Sequence, residues 1–501
     1  MHSKDAVSDR RRARLNTARA LVIVTGLLGV ACGDDEGVET GTTDGMTGAA
    51  EATGASADTT SADASTTDEG TSTTGTTGTT EEPTTGSIDT DTDAWPEGPA
   101  LYPADRALSP VTPYVADNLR SIAAQTPMAE NVFAKVGASS TVSPHFMRCF
   151  DGEDIDFDGH DARAQLWETI DYFSSEILLD GETSFGRETL AAEVGWPAFK
   201  VLQGEPSPLQ QEVDAISPRY AVVHYGTNDI GWQNLHGFGG DMLTIVDTLV
   251  DQGVIPLLTT ILARGDNPEA DAVVPRYNAV IRAVAQARQI PLIDLYLETA
   301  GLPGQGLAGD GLHPSVYAPE GVPKSCVFTE DGLAAGHSIR NLITLQTLDR
   351  MRQVVALEVD ALDPTQAGLS GEGSLDDPFV IEEFPFSDLR DTASEGFGEL
   401  DQYTGCDADQ DESGREFLYR VELSAPATLW AAVFDRGGVD IDIHLLDESA
   451  SEAGCIARDD LAIEEALDPG VYYLALDTFV SGDGANAGEY FVVVDVSPED
   501  G

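Results

Sequence analysis

Positive charge is what this sequence has least of. Its 501 residues carry 27 Lys and Arg against 87 Asp and Glu, a formal net charge of −60. A surface so negative repels phosphate backbones, which excludes a nucleic-acid partner. Long apolar runs are also missing. The run Ala20–Ala31 is too short to span a bilayer. Cysteine is sparse, at five, and no C-x-x-C pair occurs, so zinc ribbons and thioredoxin-like sites have no support. The eight His lack metal-ligand spacing. Neither a metal nor an organic cofactor is expected. Apolar residues are not scarce, at 41%, enough for the cores of two or three domains.

The few cations cluster at the start. Lys4, Arg10, Arg11, Arg12, Arg14 and Arg19 precede the apolar run, and residues 1–31 read as an export signal. The run ends Gly29-Val30-Ala31-Cys32, which resembles a bacterial lipobox and makes Cys32 the expected lipidation site. Residues 32–95 are Thr, Gly, Ser, Ala, Asp and Glu, with fifteen acidic residues between Gly33 and Trp95 and no Lys or Arg. Such a segment buries too little apolar area to offset its backbone entropy, and is expected to be a disordered tether. The expected location is the bacterial cell envelope, as an outer-membrane lipoprotein facing periplasm or exterior, with membrane contact through the anchor only. Four further Cys in an exported chain imply two disulfides. Three connectivities are open, and the simplest is one per domain, Cys149–Cys326 and Cys406–Cys455.

Residues 96–360 alternate strand and helix signals. Val132–Val136, Tyr220–Tyr225, Val254–Thr260 and Pro291–Leu295 are short apolar runs, as buried parallel strands should be. Helical stripes lie between and after them: Met242, Ile245, Val246 and Leu249; Tyr277, Val280, Ile281 and Val284; Leu342, Leu345 and Leu348. An α/β domain with a parallel sheet follows, with ligands beyond the carboxyl ends of its strands. Residues 361–375 read as a linker. Residues 376–501 carry the runs Phe417–Leu423, Thr428–Phe434, Asp440–Leu446, Val471–Asp477 and Tyr490–Val496, separated by turns, and predict an all-β antiparallel sandwich.

Two predicted strand ends carry polar clusters, Gly226-Thr227-Asn228-Asp229 and Asp310-Gly311-Leu312-His313. An Asp three residues before a His can orient an imidazole as a general base. A side-chain amide can donate to a developing oxyanion. The end of the first strand, Gly137-Ala138-Ser139, supplies a nucleophile. In this order the three blocks resemble those of the SGNH (GDSL-type) hydrolase superfamily, over roughly residues 96–357. The resemblance implies a flavodoxin-like three-layer fold and ester hydrolysis through an acyl-enzyme. It makes Ser139 the nucleophile, His313 the base and Asp310 its orienting carboxylate, with the Ser139 N–H and Asn228 in the oxyanion hole. The family also uses a loop glycine there, for which Gly186 is the candidate and Gly195 the competitor. The family usually has Asp where this chain has Ala138. Ser140 and Ser143 stand close enough to compete with Ser139.

Other motifs carry less. Gly304-x-Gly306-x-x-Gly309 opens no helix and reads as a flexible loop before Asp310. Asp154-x-Asp156-x-Asp158-Gly159 begins like a calcium loop, but Gln165 occupies its twelfth position, and it reads as a solvated acidic loop. No G-x-S-x-G elbow occurs, which disfavours a standard α/β-hydrolase. The last domain resembles the bacterial pre-peptidase C-terminal sandwich. Its Asp440 and Asp442 share one sheet face, where they bind Ca²⁺ or stay solvated. The expected function is a cell-surface serine esterase acting on a carboxylic ester, such as an acetylated carbohydrate or a lipid. The alternative is a non-catalytic surface-binding lipoprotein with the same fold, and a peptidase is the weaker third reading.

Overall fold

A computed structural model describes residues 98–498 apart from 153, 159–162, 164, 179, 180, 407–409 and 483. The expected leader, the expected lipidation site at Cys32 and the expected tether lie outside these residues.

Four parallel strands stand side by side in chain order: β1 (Ala129–Gly137), β2 (Pro218–His224), β3 (Ile255–Thr259) and β4 (Leu292–Ile293). Every residue of β2, β3 and β4 is buried. Their mostly apolar sequences, broken by Arg219, His224 and Thr259, follow from having both faces covered. On the outer edge of β1, Gly137 makes a parallel bridge to Ala192. Counting that bridge as a rudimentary second strand, the spatial order becomes 2-1-3-4-5. This is the doubly wound, flavodoxin-like order, and its crevice opens where the winding reverses, beyond the ends of β1 and β2.

The helices are α1 (Pro113–Gln125), α2 (Ser139–Val142), α3 (Gln165–Ser174), α4 (Pro208–Ile216), α5 (Leu235–Val250), α6 (Pro268–Asp271), α7 (Val274–Ala287), α8 (Leu295–Ala300), α9 (Glu330–Leu333) and α10 (Gly336–Met351). Several start on a side-chain cap. Thr112 accepts from Val115, Ser207 from Gln210, Asn234 from Gly237 and Asp294 from Leu297. The pairs α5 with α7 and α3 with α10 pack together against the sheet.

The sandwich comprises β5 (Phe379–Ile381), β6 (Phe386–Asp391), β7 (Phe417–Leu423), β8 (Ala427–Phe434), β9 (Ile441–Leu446), β10 (Cys455–Asp459), β11 (Ala462–Leu467), β12 (Gly470–Thr478), the short hairpin β13 (Val480–Ser481) and β14 (Gly484–Ala485), and β15 (Glu489–Pro498). Its sheets run β11-β8-β15-β6 and β10-β9-β12-β7-β5, antiparallel except for the β5–β7 pair. Leu429, Ala431 and Val433 of β8 and Val492 and Val494 of β15 fill the space between the sheets. The alternate residues Trp430, Ala432, Phe434, Phe491 and Val493 belong to the core of the α/β domain. One sheet therefore buries both of its faces, the outer one against α5 and α7.

Polar contacts complete the junction. The His236 ring stacks on Phe434 at 4.6 Å, and its Nε2 lies 3.0 Å from the carbonyls of Val433 and Leu461. Arg288 pairs with Asp247 and Glu489, both at 2.7 Å. The stretch expected as a linker is tied down as well. Leu362 donates to the Val111 carbonyl at 3.0 Å, and Asp363 accepts from the Val111 N–H and from Arg350. Both disulfides form as paired above, Cys149–Cys326 in the first domain and Cys406–Cys455 in the second.

Candidate active site

The strand-to-helix turn after β1 depends on a glycine. A Cβ on Gly137 would meet Thr141 Oγ1 at 2.4 Å and the His224 carbonyl at 2.8 Å. Its absence lets β2 and the first turn of α2 close onto the end of β1. The Ala138 carbonyl then accepts the N–H groups of Thr141 and Val142, at 2.9 and 3.0 Å, and Ser139 becomes the first residue of α2. Ala138, where the family usually has Asp, is buried in the core.

The two remaining strand-end clusters converge on this serine. His313 Nε2 lies 2.9 Å from Ser139 Oγ, and His313 Nδ1 lies 2.7 Å from Asp310 Oδ2. The other carboxylate oxygen of Asp310 accepts the backbone N–H groups of Leu312 and His313, at 3.0 and 3.1 Å. The hydrogen bond from His313, with these two N–H groups, holds the Asp310 carboxyl down at about 2. The loop is tied off by an Ala308 N–H to His313 carbonyl bond of 2.7 Å and an Asp266 N–H to Gly311 carbonyl bond of 3.1 Å. The pair is open to solvent, with the His313 and Asp310 side chains 38% and 52% exposed.

A small pocket beside the serine is lined by Ala138, Ser139, Trp196, His224, Thr227 and Asn228, among others. The Asn228 side-chain amide donates to the Trp196 carbonyl at 3.1 Å, which fixes its orientation and leaves its second N–H for a ligand.

Gly186 is elsewhere, which corrects its expected place in the oxyanion hole. The segment containing it climbs alongside β1: Ser184 Oγ accepts from Phe133, and the Ala191 carbonyl accepts from Gly137. Phe133 lies four residues before Gly137, where β1 ends, roughly 13 Å down the strand. Gly186 sits at that lower level, packed on the Asp151 carboxylate, where a Cβ would be 2.2 Å from Oδ2. The competitor, Gly195, follows Ala191 beyond the strand tip and directly precedes Trp196. Its φ of +82° is one that glycine adopts without strain.

The competing serines have other duties. The Ser140 carbonyl accepts from Arg340. Ser143 Oγ lies 3.3 Å from His337 Nε2, but that imidazole is buried and its Nδ1 has no hydrogen-bond partner among the described residues, so no carboxylate stands behind it. Of these three serines, Ser139 alone faces a histidine backed by an aspartate among the described residues.

Residues 181–317, which include Asn228, Asp310 and His313, match the GDSL-like Lipase/Acylhydrolase family. Residues 181–317 form a GDSL-like lipase/acylhydrolase domain. The match begins after Ser139, with α3 and the Cys149 loop lying between the nucleophile and the matched residues. The GDSL-type domain is an enzyme that hydrolyses ester bonds. No curated protein matches the chain. Among solved structures, the chain is similar to a GDSL-like lipase from Bacteroides thetaiotaomicron, with 17% identity over 47% of this chain and 98% of that one, at a TM-score of 0.30. It is similar also to the acetylxylan esterase Axe2 from Geobacillus stearothermophilus, with 14% identity over 44% and 94% of the two chains, at 0.29. A putative acylhydrolase from Bacteroides fragilis matches with 17% identity over 47% and 95%, at 0.28.

Sequence reasoning missed the supports of the GDSL-type site. Asp229 is fully buried beneath Asn228, and burial raises its carboxyl to about 6. The α10 helix lays His337, Arg340 and Asn341 against the loop that follows Ser139. Asn341 donates to the carbonyls of His145 and Ser325, at 2.9 and 3.0 Å, beside the Cys149–Cys326 disulfide. The readable signal was a run of polar residues inside the apolar stripe of α10.

Proposed function

We propose that the domain is a serine esterase working through an acyl-enzyme on Ser139. His313 Nε2 takes the Ser139 hydroxyl proton as Oγ attacks the ester carbonyl. The carbonyl electron pair moves onto oxygen, and that oxyanion accepts hydrogen bonds from the Ser139 N–H, the Gly195 N–H and the free N–H of Asn228. Collapse re-forms the carbonyl, breaks the bond to the alcohol oxygen and sends the proton from His313 to that oxygen. Water, deprotonated by the same imidazole, then attacks the acyl-enzyme and releases the acid and the free serine. Asp310 holds Nδ1–H of His313 throughout and stabilises the imidazolium. The observation that carries this reading is the unbroken line from Asp310 through His313 to Ser139, at 2.7 and 2.9 Å.

The leader and the Cys32 lipobox support placement on the cell envelope, with the acidic tether holding the catalytic unit away from the membrane. The purified protein should release nitrophenol from short-chain nitrophenyl esters, and a fluorophosphonate should label Ser139. Turnover that survives Ser139→Ala, or label found on Ser143, would refute the assignment.

A further inference from the structure

Five arginines are buried among the described residues: Arg187, Arg219, Arg282, Arg340 and Arg352. Four of them meet a carboxylate. Arg187 pairs with Glu212, Arg219 with Glu130, Arg282 with Asp294 and Arg352 with Asp349. Arg340 does not. It is 0% exposed and forms no ion pair among the described residues. Its Nη1 donates to the Ser140 carbonyl at 2.6 Å and its Nη2 to Thr141 Oγ1 at 3.2 Å. The guanidinium lies 3.7 Å from the centre of the Phe146 ring, and Nε has no partner. A guanidinium stays charged in a protein interior. A buried cation without a counter-charge is costly, and apolar packing would be the more stable alternative.

The location of this charge gives it a use. Its two hydrogen-bond partners are the residues that directly follow Ser139, so the cation sits under the turn that carries the nucleophile. His224 and His337 nearby are held neutral by burial, and the Arg340 charge lowers them further. The counter-charge missing in the resting protein appears in the reaction, when the ester carbonyl becomes an oxyanion. In a poorly polarisable interior, a fixed cation favours that state over the neutral ground state without reorganising.

Building on the esterase reading above, we infer that Arg340 is a positioning residue that holds the Ser139 turn and, as an uncompensated buried cation, selectively stabilises the tetrahedral oxyanion. It acts through the turn and touches no reacting atom.

The test uses the full protein with nitrophenyl acetate and a small alkylboronic acid, which becomes a tetrahedral anion on the serine. Arg340→Met should lower kcat about 10- to 100-fold with KM changed less than twofold. The boronate inhibition constant should rise by a similar factor, and Arg340→Lys should recover a large part of both losses. Arg340→Gln, which keeps a donor for the Ser140 carbonyl, replaces the Met variant if that one does not fold. A merely structural arginine predicts a different pattern: boronate affinity unchanged, or Lys no better than Met. Either result overturns the inference, as does kcat within twofold of wild type. Wild-type protein that turns over no ester and takes no phosphonate label overturns the esterase reading itself, and this inference with it.

Discussion

The Asp229 carboxylate accepts the Ala198 backbone N–H at 2.7 Å, and so ties the loop after β2 to the loop that carries Gly195 and Trp196. The same carboxylate accepts the Gly226 N–H at 2.9 Å and a Gln233 amide N–H at 3.0 Å. The two loops that supply Gly195 and Asn228 to the proposed oxyanion hole thus hang on one buried group.

Asp229→Asn is therefore not a conservative change. An amide offers one oxygen and sets its NH₂ against a backbone N–H, leaving a buried donor without an acceptor at a cost of about 1–3 kcal/mol. We expect kcat to fall by at least tenfold with KM little changed, because the loss lies in oxyanion geometry. Steady-state kinetics check this, and an unaltered kcat would remove Asp229 from the site's support.

Asp310 gives a pH prediction. Its folded carboxyl is depressed to about 2, chiefly by the bond to His313. A depressed carboxyl contributes its interaction above the ordinary Asp value of about 3.9 and loses it only as pH falls through about 2. The acid limb of the kcat/KM profile should then carry no contribution from protonation of this carboxylate above about pH 3. Asp310→Ala should reduce kcat by about 10²- to 10⁴-fold at every pH, with the shape of the limb as the measurement.

Much of the site was legible because its chemistry is local. Asp310 and His313 are three residues apart, Asn228 ends a recognisable strand, and Ser139 follows another. The predicted strand Val132–Val136 lies inside β1, and Tyr220–Tyr225 overlaps β2. What was misread depended on long-range pairing. The choice between Gly186 and Gly195 is made by how the segment around Ala191 registers against Gly137, far away in sequence. Local sequence makes residues 361–375 a linker and has Asp442 bind Ca²⁺ or stay solvated. Instead Asp442 is buried against Arg458 at 2.5 Å, under a covering segment that local alternation does not reveal. The run Leu429-Trp430-Ala431-Ala432-Val433-Phe434 held an unused clue. A strand with no polar face has both faces buried.

That double burial predicts shared stability. Phe434 lies in the α/β core and stacks at 4.6 Å on both His236 and Phe491. Phe434→Ala should cost about 3–5 kcal/mol. Because the residue serves both domains, activity and the β-sheet signal should be lost in one coincident transition in urea, at a lower midpoint than in wild type. Two separated transitions would mean that the sandwich folds independently of the catalytic domain.

The outer face of the five-stranded sheet makes stability depend on pH in a definite direction. Residues 399–406 and 410–416, fastened by Cys406–Cys455, cover it and bury Glu412, Glu416, Asp442 and Asp477 with Arg458 as the neighbouring cation. Glu416 accepts the Glu399 N–H at 2.8 Å through one oxygen, while its other oxygen has no partner among the described residues. Burial pushes the Glu416 carboxyl up to about 7, and burial first of all raises Asp442 and Asp477 too. A raised carboxyl contributes stability that is complete below its unfolded value, near 4.3, and is lost as pH climbs through the folded value. For Glu416 that window runs from about pH 4 to just above 7, and its contribution is on the order of 3–4 kcal/mol. The melting temperature should be highest in mildly acidic solution and fall by several degrees by pH 9. Glu416→Gln mimics the protonated form, since its oxygen can still accept from Glu399. It should flatten part of that fall and raise the melting temperature at pH 8 above that of wild type. A melting temperature that rises with pH, or a Gln variant less stable at pH 8, would show that these carboxyls are ionised in the folded state.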